Sequence, residues 1–219
     1  MNTLTEEKTE KYIYSLLPAR DPVLRAMEKY AAHHNVPIIG PACGRLLYQL
    51  ARLIRARRVF ELGSAIGYST LWLARAVGPG GVVFYTDYDL ANARRAEHYL
   101  RRAGVLRRVR LLVGDALRAL EATPGKFDLI FNDVDKTQYP EVFRLAVPRL
   151  RVGGLLVADN VLRSGHMVRP AARGNPQTRA TWRFNRLLYG SPELYTTIIP
   201  LREGFSVSQK VRDRQNVGL

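Results

Sequence analysis

Cysteine is nearly absent from this 219-residue chain, where Cys43 stands alone. A single thiol excludes an internal disulfide and fits a reducing compartment; placed just ahead of an amphipathic helix, it reads as packing. No stretch approaches the roughly 20 consecutive apolar residues of a membrane span. The opening residues carry Glu6, Glu7 and Glu10 and no apolar run, so no signal peptide is read there and a cytoplasmic protein without membrane attachment is expected. Lysine is scarce, at positions 8, 11, 29, 126, 136 and 210, while basic residues number 34 against 19 acidic ones, a formal net charge of +15. Arginine therefore carries the excess. A basic surface favours anionic partners, although a GC-rich genome produces the same bias. His33, His34, His98 and His166 do not form a spaced metal-binding set. The length implies one domain, 1–219, whose core needs no staples. Residues 1–35 form its helical N-terminal segment, which caps the core, covers a site or contacts a second subunit.

What is present is a strand, a glycine turn and a helix start, running from Val59 to Thr70. Val59, Phe60 and Leu62 suit a strand covered on both faces. Gly63 and Gly67 bracket a turn where a ligand can touch backbone, at the strand end where open α/β sheets bind nucleotides. The dinucleotide fingerprint wants three glycines spaced G-x-G-x-x-G; counted from Gly63, the chain has Gly63, Ala65 and Tyr68. Instead Glu61 precedes the first glycine by two residues. That E-x-G-x-x-x-G arrangement resembles motif I of the S-adenosylmethionine-dependent methyltransferases.

Along the chain, Ile38–Pro41 reads as a loop. A helix is predicted from about Ala42 to Arg55, with Leu46, Leu47, Leu50, Leu53 and Ile54 as its apolar stripe. Strands are predicted at 82–86, 109–113, 127–132 and 154–158, with a helix over 90–103 whose Ala93, Ala96 and Leu100 face inward. This alternation is a doubly wound α/β pattern. Strands at 195–200 and 205–210 have only four residues between them, too short for a parallel crossover, so they form an antiparallel hairpin at one edge. Asp87, ending the second strand, is placed to accept hydrogen bonds from ribose hydroxyls.

Asp133 ends one strand, and Asp159 and Asn160 end the next. Neighbouring strands would bring these tips within about 5 Å. Two carboxylates so close repel unless a proton or cation lies between them, and hard oxygen donors suit Mg²⁺ or Ca²⁺; the metal-free alternative is that Asp159 and Asn160 only cap a loop. Lys136 follows Asp133 by three residues. Unlike arginine, a lysine there can lose its proton and act as a base.

Taken in order, Glu61–Ser69, Thr86–Asp89, Gly114–Ala116, Phe131–Lys136 and Val157–Leu162 resemble the cation-dependent O-methyltransferases, the catechol and caffeoyl-CoA O-methyltransferases and their bacterial relatives. The resemblance spans about residues 36–210. It implies a Rossmann-like, mostly parallel seven-stranded sheet with a reversed last strand, and a homodimer. It also implies an S-adenosylmethionine site containing Gly63, Ser69 and Asp87, with Glu61, Gly67 and Tyr68 of the same motif, Asp115 near the adenine, Ile39 in the preceding loop, and Asp133 bordering it. Asp133, Asp159 and Asn160 are the implied ligands of Mg²⁺ (or Ca²⁺ or Mn²⁺), and Lys136 the implied base. The chain departs from the family at Asn132, where relatives often carry isoleucine.

Between Val161 and Pro192 there is no acid, while Arg163, Arg169, Arg173, Arg179, Arg183 and Arg186 all occur. Arg179, Arg183 and Arg186 share a helical face, with Trp182 and Phe184 read onto other faces. Beside a plain solvated face, this run suits a small anionic substrate such as a CoA thioester or carboxylated catechol. It also suits RNA held through phosphates, since some bacterial relatives methylate a hydroxylated uridine in tRNA. The expected reaction is methyl transfer to one oxygen of a catechol-like small molecule. The alternatives are a tRNA hydroxyuridine O-methyltransferase and, from another class, a non-catalytic nucleic-acid-binding protein on the same scaffold.

Overall fold

Short runs of β-branched and aromatic residues, separated by amphipathic stretches, build one sheet with helices on both faces. The computed structural model describes residues 6–162 and 174–213. In chain order the elements are α1 (Glu6–Ser15), α2 (Pro22–His34), α3 (Gly40–Leu53), β1 (Arg58–Leu62), α4 (Tyr68–Val77), β2 (Val82–Asp87), α5 (Leu90–Arg102) and β3 (Val109–Val113). There follow α6 (Ala116–Ala122), β4 (Phe127–Asn132), α7 (Tyr139–Arg149), β5 (Leu150–Ala158), α8 (Pro176–Gly190), β6 (Leu194–Ile199) and β7 (Phe205–Lys210).

The seven strands lie in the order β3-β2-β1-β4-β5-β7-β6. The first five are parallel, and β7 runs antiparallel to both β5 and β6. This is the doubly wound sheet with an edge hairpin expected from the sequence. Its winding reverses between β1 and β4, which opens a crevice at the carboxyl ends of those strands. Strand alternation divides the core. Val59, Leu129, Phe131, Leu155 and Val157 join the layer under α2, α3, α4 and α5. Phe60, Leu62, Ile130, Leu156 and Ala158 join the layer under α6, α7 and α8. Each fully buried phenylalanine or leucine contributes about 1.5–3 kcal/mol by leaving water. Asp128 ties the opposite end of the sheet together, accepting from the Arg57 and Arg58 amides at 2.8 Å and from Arg151 Nε at 2.5 Å.

Two sequence expectations need correction. α3 starts at Gly40, not after Pro41, and Cys43 lies within it. Its inward stripe is Cys43, Leu47 and Ala51, with Leu46, Leu50 and Ile54 partly buried, whereas Leu53 is 72% exposed. The physical reason is contact with α4. Trp72 packs so closely on α3 that a Cβ on Gly44 would sit 2.3 Å from Trp72 Nε1. Small residues therefore share the inward face with Leu47, and of the predicted stripe only Leu53 turns to water.

Asn132 ends β4 fully buried, and both its amide atoms lack a hydrogen-bond partner among the described residues. An unmade pair of hydrogen bonds in the interior costs on the order of 1–3 kcal/mol. Asn132→Ile is expected to raise unfolding stability by about 1 kcal/mol or more; a lowered denaturation midpoint would show that the amide is satisfied.

Candidate active site

The site is built where three strand ends converge. Sheet hydrogen bonding continues past the strands: Asp133 N donates to Leu62 O at 2.8 Å, and Asp159 N to Asn132 O at 3.2 Å. Gly63 leaves β1 at φ +81°, and a Cβ there would lie 2.6 Å from Asp133 O. The turn after β1 is thus pressed against the backbone that presents Asp133. Its amides are held from the side by β2, with Gly63 N donating to Thr86 Oγ1 at 3.2 Å and Ser64 N to Thr86 O at 2.9 Å.

Beneath the turn lies Glu61, completely buried, with Thr70 Oγ1 donating to it. Burial pushes its carboxyl up to about 7, against the opposing hydroxyls of Ser69, Thr70 and Ser64. Gly67, at φ +83°, starts α4 where a Cβ would meet Ala96 Cβ at 2.9 Å. Tyr68 is buried and its hydroxyl donates to Glu28 Oε1 at 2.7 Å. Ile39 is also buried, in the core layer under α3. Glu61, Gly67, Tyr68, Ser69 and Ile39 are all buried, and none of them lines the adjoining cleft.

A cleft of about 760 Å³ opens above them. Gly63, Asp87, Asp133, Lys136, Asp159 and Asn160 all line it. Asp87 accepts from Ala65 N (2.9 Å), Asp89 N (2.8 Å) and Asn92 Nδ2 (3.1 Å). A carboxylate has about four lone-pair sites, so capacity for a ligand hydroxyl remains. Asp115 sits apart, capping α6 through the Leu117 and Arg118 amides and accepting from Tyr88 Oη at 2.9 Å. The two amides and the Tyr88 hydroxyl hold its carboxyl below the usual range.

Asp133 Oδ1 accepts from Lys136 Nζ at 3.0 Å. Burial raises the Asp133 carboxyl, with Lys136 opposing. Asp159 is 3% exposed, and its Oδ1 accepts from the Asn160 amide at 2.8 Å. Burial, then the charge of Asp133, push Asp159 up to about 7. The Tyr139 hydroxyl pins its backbone by donating to Asp159 O at 2.8 Å. Asn160 takes a left-handed φ of 55° and donates from Nδ2 to Glu203 Oε2 at 3.2 Å. A buried carboxylate raised by its neighbour Asp133, with Asp133 itself part-exposed to the cleft and an amide oxygen alongside, makes a hard-oxygen donor set that fits a divalent cation. Among the described residues no group of three His, Cys, Asp or Glu side chains is arranged for a metal, so the fit rests on this mixed set with open positions. Cys43 is buried nearby, its thiol pushed up to about 12 by burial and then by Asp159, which suits packing.

Sequence reasoning missed Glu28, Ala31 and Ala32 of α2, Ile38, and Arg202 and Glu203 of the β6–β7 turn, all of which line the cleft. No local motif marks them; only the fold brings these distant segments over the strand ends. It also misplaced Trp182. Only Phe184 points into the core, while Trp182 shares the exposed arginine face, with Arg186 5.0 Å from its ring centre. Arg179 and Arg183 line a separate α7–α8 groove with Trp182, together with Glu141, Glu193 and Asp213, so its charge is mixed. Arg163, Arg169, Arg173 and His166 lie outside the described residues. Among the described residues no helix is long and apolar enough to cross a membrane.

Comparisons with known proteins fit this geometry. The family model described as O-methyltransferase matches residues 17–211. The chain is 35% identical over 207 residues to a catechol O-methyltransferase of Niastella koreensis, covering 92% of this chain and 93% of that protein. It is 39% identical over 159 residues to a catechol O-methyltransferase of Mycobacterium tuberculosis, covering 71% and 72%. Among solved structures, the O-methyltransferase TomG from Streptomyces achromogenes, involved in tomaymycin synthesis and solved in complex with SAM, superposes with a TM-score of 0.86. It has 30% identity over 95% of this chain and 100% of that one.

Gly63→Ala forces a Cβ against the Asp133 carbonyl and strains a left-handed backbone. It is expected to destabilise the fold by about 1–3 kcal/mol, read as a lowered denaturant midpoint; an unchanged midpoint would mean that the turn does not press on β4.

Proposed function

The chain belongs to the O-methyltransferase family and is an S-adenosylmethionine-dependent O-methyltransferase; from that premise we propose a divalent-cation-dependent enzyme that methylates one oxygen of a catechol-like small molecule. The observation that carries this reading is the gathering of Asp133, Lys136, Asp159 and Asn160 in one cleft with Gly63 and Asp87. Gly63 lets the cofactor approach the turn backbone, and Asp87 accepts a ribose hydroxyl. Glu61, Gly67, Tyr68, Ser69 and Ile39 lie beneath that surface, and Asp115 stands apart from it at the start of α6.

Asp133, Asp159 and Asn160 would hold Mg²⁺ (or Ca²⁺ or Mn²⁺), which when bound lowers the pKa of an acceptor hydroxyl and steadies the resulting oxyanion. Lys136 Nζ, which lines the same cleft, is the group that takes the hydroxyl proton. The acceptor oxygen then attacks the sulfonium methyl carbon, the carbon–sulfur bond breaks with its electron pair going to sulfur, and S-adenosylhomocysteine leaves. Holding both reactants in register between the β1 turn and the β4–β5 tips supplies much of the rate gain. α2 covers the cleft with Glu28, Ala31 and Ala32, so the N-terminal segment acts as a cap on the site. A homodimer in the cytoplasm completes the reading. The tRNA alternative finds no support in the α7–α8 groove, where Arg144 is committed to Glu141 at 2.5 Å and acids interrupt the arginine face.

Asp133→Ala is expected to abolish methyl transfer to a simple catechol, a loss of at least 100-fold, while circular dichroism stays native; retained activity would remove Asp133 from the chemistry. Cation binding should depend on pH in a defined direction. The Asp159 carboxyl, raised to about 7, holds a proton below that pH, and a cation must displace it. Mg²⁺ affinity measured by calorimetry should therefore be roughly tenfold weaker at pH 6 than at pH 8. Equal affinities would contradict a site at Asp159.

A further inference from the structure

The β6–β7 turn places an arginine beside the two acids, a role the reaction above leaves unassigned. Arg202 lies in a left-handed backbone conformation, φ 51°, that bulky residues rarely adopt. The turn is clamped to the chain just after Asn160, with Val161 N donating to Gly204 O at 3.1 Å and Leu162 N to Glu203 O at 2.7 Å. Gly204 packs directly on Leu162, where a Cβ would lie 2.4 Å from Leu162 Cγ. Arg202 Nη1 donates to Ile38 O at 3.0 Å, and the guanidinium lines the cleft with Asp133, Asp159 and Lys136.

The partners of this guanidinium decide its use. Asp133 is taken by Lys136, the Asp159 Oδ1 by the Asn160 amide, and Glu203 by Asn160 Nδ2. Of the five donors of an arginine fork, one goes to Ile38 O, and no ion pair to Arg202 is present among the described residues. Asp159 and Cys43 act on it through space, and the guanidinium also stands within hydrogen-bonding reach of the Cys43 thiol. Once the two carboxylates are engaged by another cation, that through-space countercharge is spent. A half-buried arginine fork facing an open cleft is then matched by a carboxylate, which it can grip with two parallel hydrogen bonds.

We propose that Arg202 is a specificity-determining residue that pairs with a carboxylate carried by the methyl acceptor, selecting anionic catechols over neutral ones. This rests on the catechol reading of the cleft. The acceptor's vicinal oxygens lie toward Asp133 and Asp159, and its acidic substituent toward the β6–β7 turn.

The test compares a vicinal dihydroxybenzoate with the matching dihydroxybenzamide, which keeps the shape and removes the charge. The wild-type protein and Arg202→Asn are assayed with S-adenosylmethionine and Mg²⁺; asparagine tolerates the left-handed backbone. Wild type is expected to favour the carboxylate by about 10- to 100-fold in kcat/KM, the range of a charge-assisted pair, and Arg202→Asn to bring the ratio near one. Arg202→Lys should restore part of the preference, since it keeps the charge but loses the fork. Equal losses for both acceptors in Arg202→Asn, or no wild-type preference, would overturn the proposal. Calorimetric binding of both compounds with S-adenosylhomocysteine, with and without Mg²⁺, separates the two readings. Selective carboxylate binding without turnover would sink the catechol acceptor and keep the anion site; binding with no selectivity would sink the anion site.

Discussion

The site depends on one constraint, the close approach of the β1 turn to the end of β4. Gly63 can meet the Asp133 carbonyl only because it has no side chain, and the Asp133 amide returns a hydrogen bond to Leu62. Register between β1, β4 and β5 then carries from Leu62 to Asn132 to Ala158. The next residues along β4 and β5 are Asp133 and Asp159. Sheet geometry alone thus sets two acids side by side at the point where the winding reverses, next to a turn whose backbone is open to a ligand. A slip of one residue in either pairing would turn an acid toward the other face.

Such a pair is electrostatically uncomfortable, and the surroundings show how it is tolerated. Lys136 neutralises Asp133 directly, Arg202 acts on both acids at longer range, and the Asn160 amide satisfies Asp159. Asp159 still stays raised to about 7. Asp128, at the start of β4, is by contrast satisfied within the chain by Arg151 and two backbone amides. Two acids along one strand are therefore placed differently, Asp128 satisfied within the chain at its start and Asp133 facing the cleft just past its end.

Much of this was legible in the sequence because it is local. The strand–turn–helix at Val59–Thr70, the acids that follow Thr86, Asn132 and Ala158, and the four-residue gap before Phe205 each carry their meaning within a few residues. The inward face of α3 was legible in part: Leu47 is in the core and Leu46, Leu50 and Ile54 pack against it, but Leu53 faces water and the close seat of Trp72 on Gly44 carries no periodic signal. Glu28, Ile38 and Arg202 were invisible for the same reason: they come from α2, the loop after it and the last hairpin, and only the folded sheet sets them over one cleft. Glu61, Tyr68 and Ile39, expected among the cofactor contacts, have buried side chains. A motif records which residues a turn needs without separating those that touch a ligand from those that hold the turn.

The most direct measurement is transfer of labelled methyl from S-adenosylmethionine to a mixture of catechols and bulk unmodified tRNA, run with Mg²⁺ and with EDTA, and divided by acid precipitation. The account predicts label in the acid-soluble fraction with Mg²⁺ and its loss with EDTA. Label that survives EDTA, or that appears in the precipitated RNA, would contradict it.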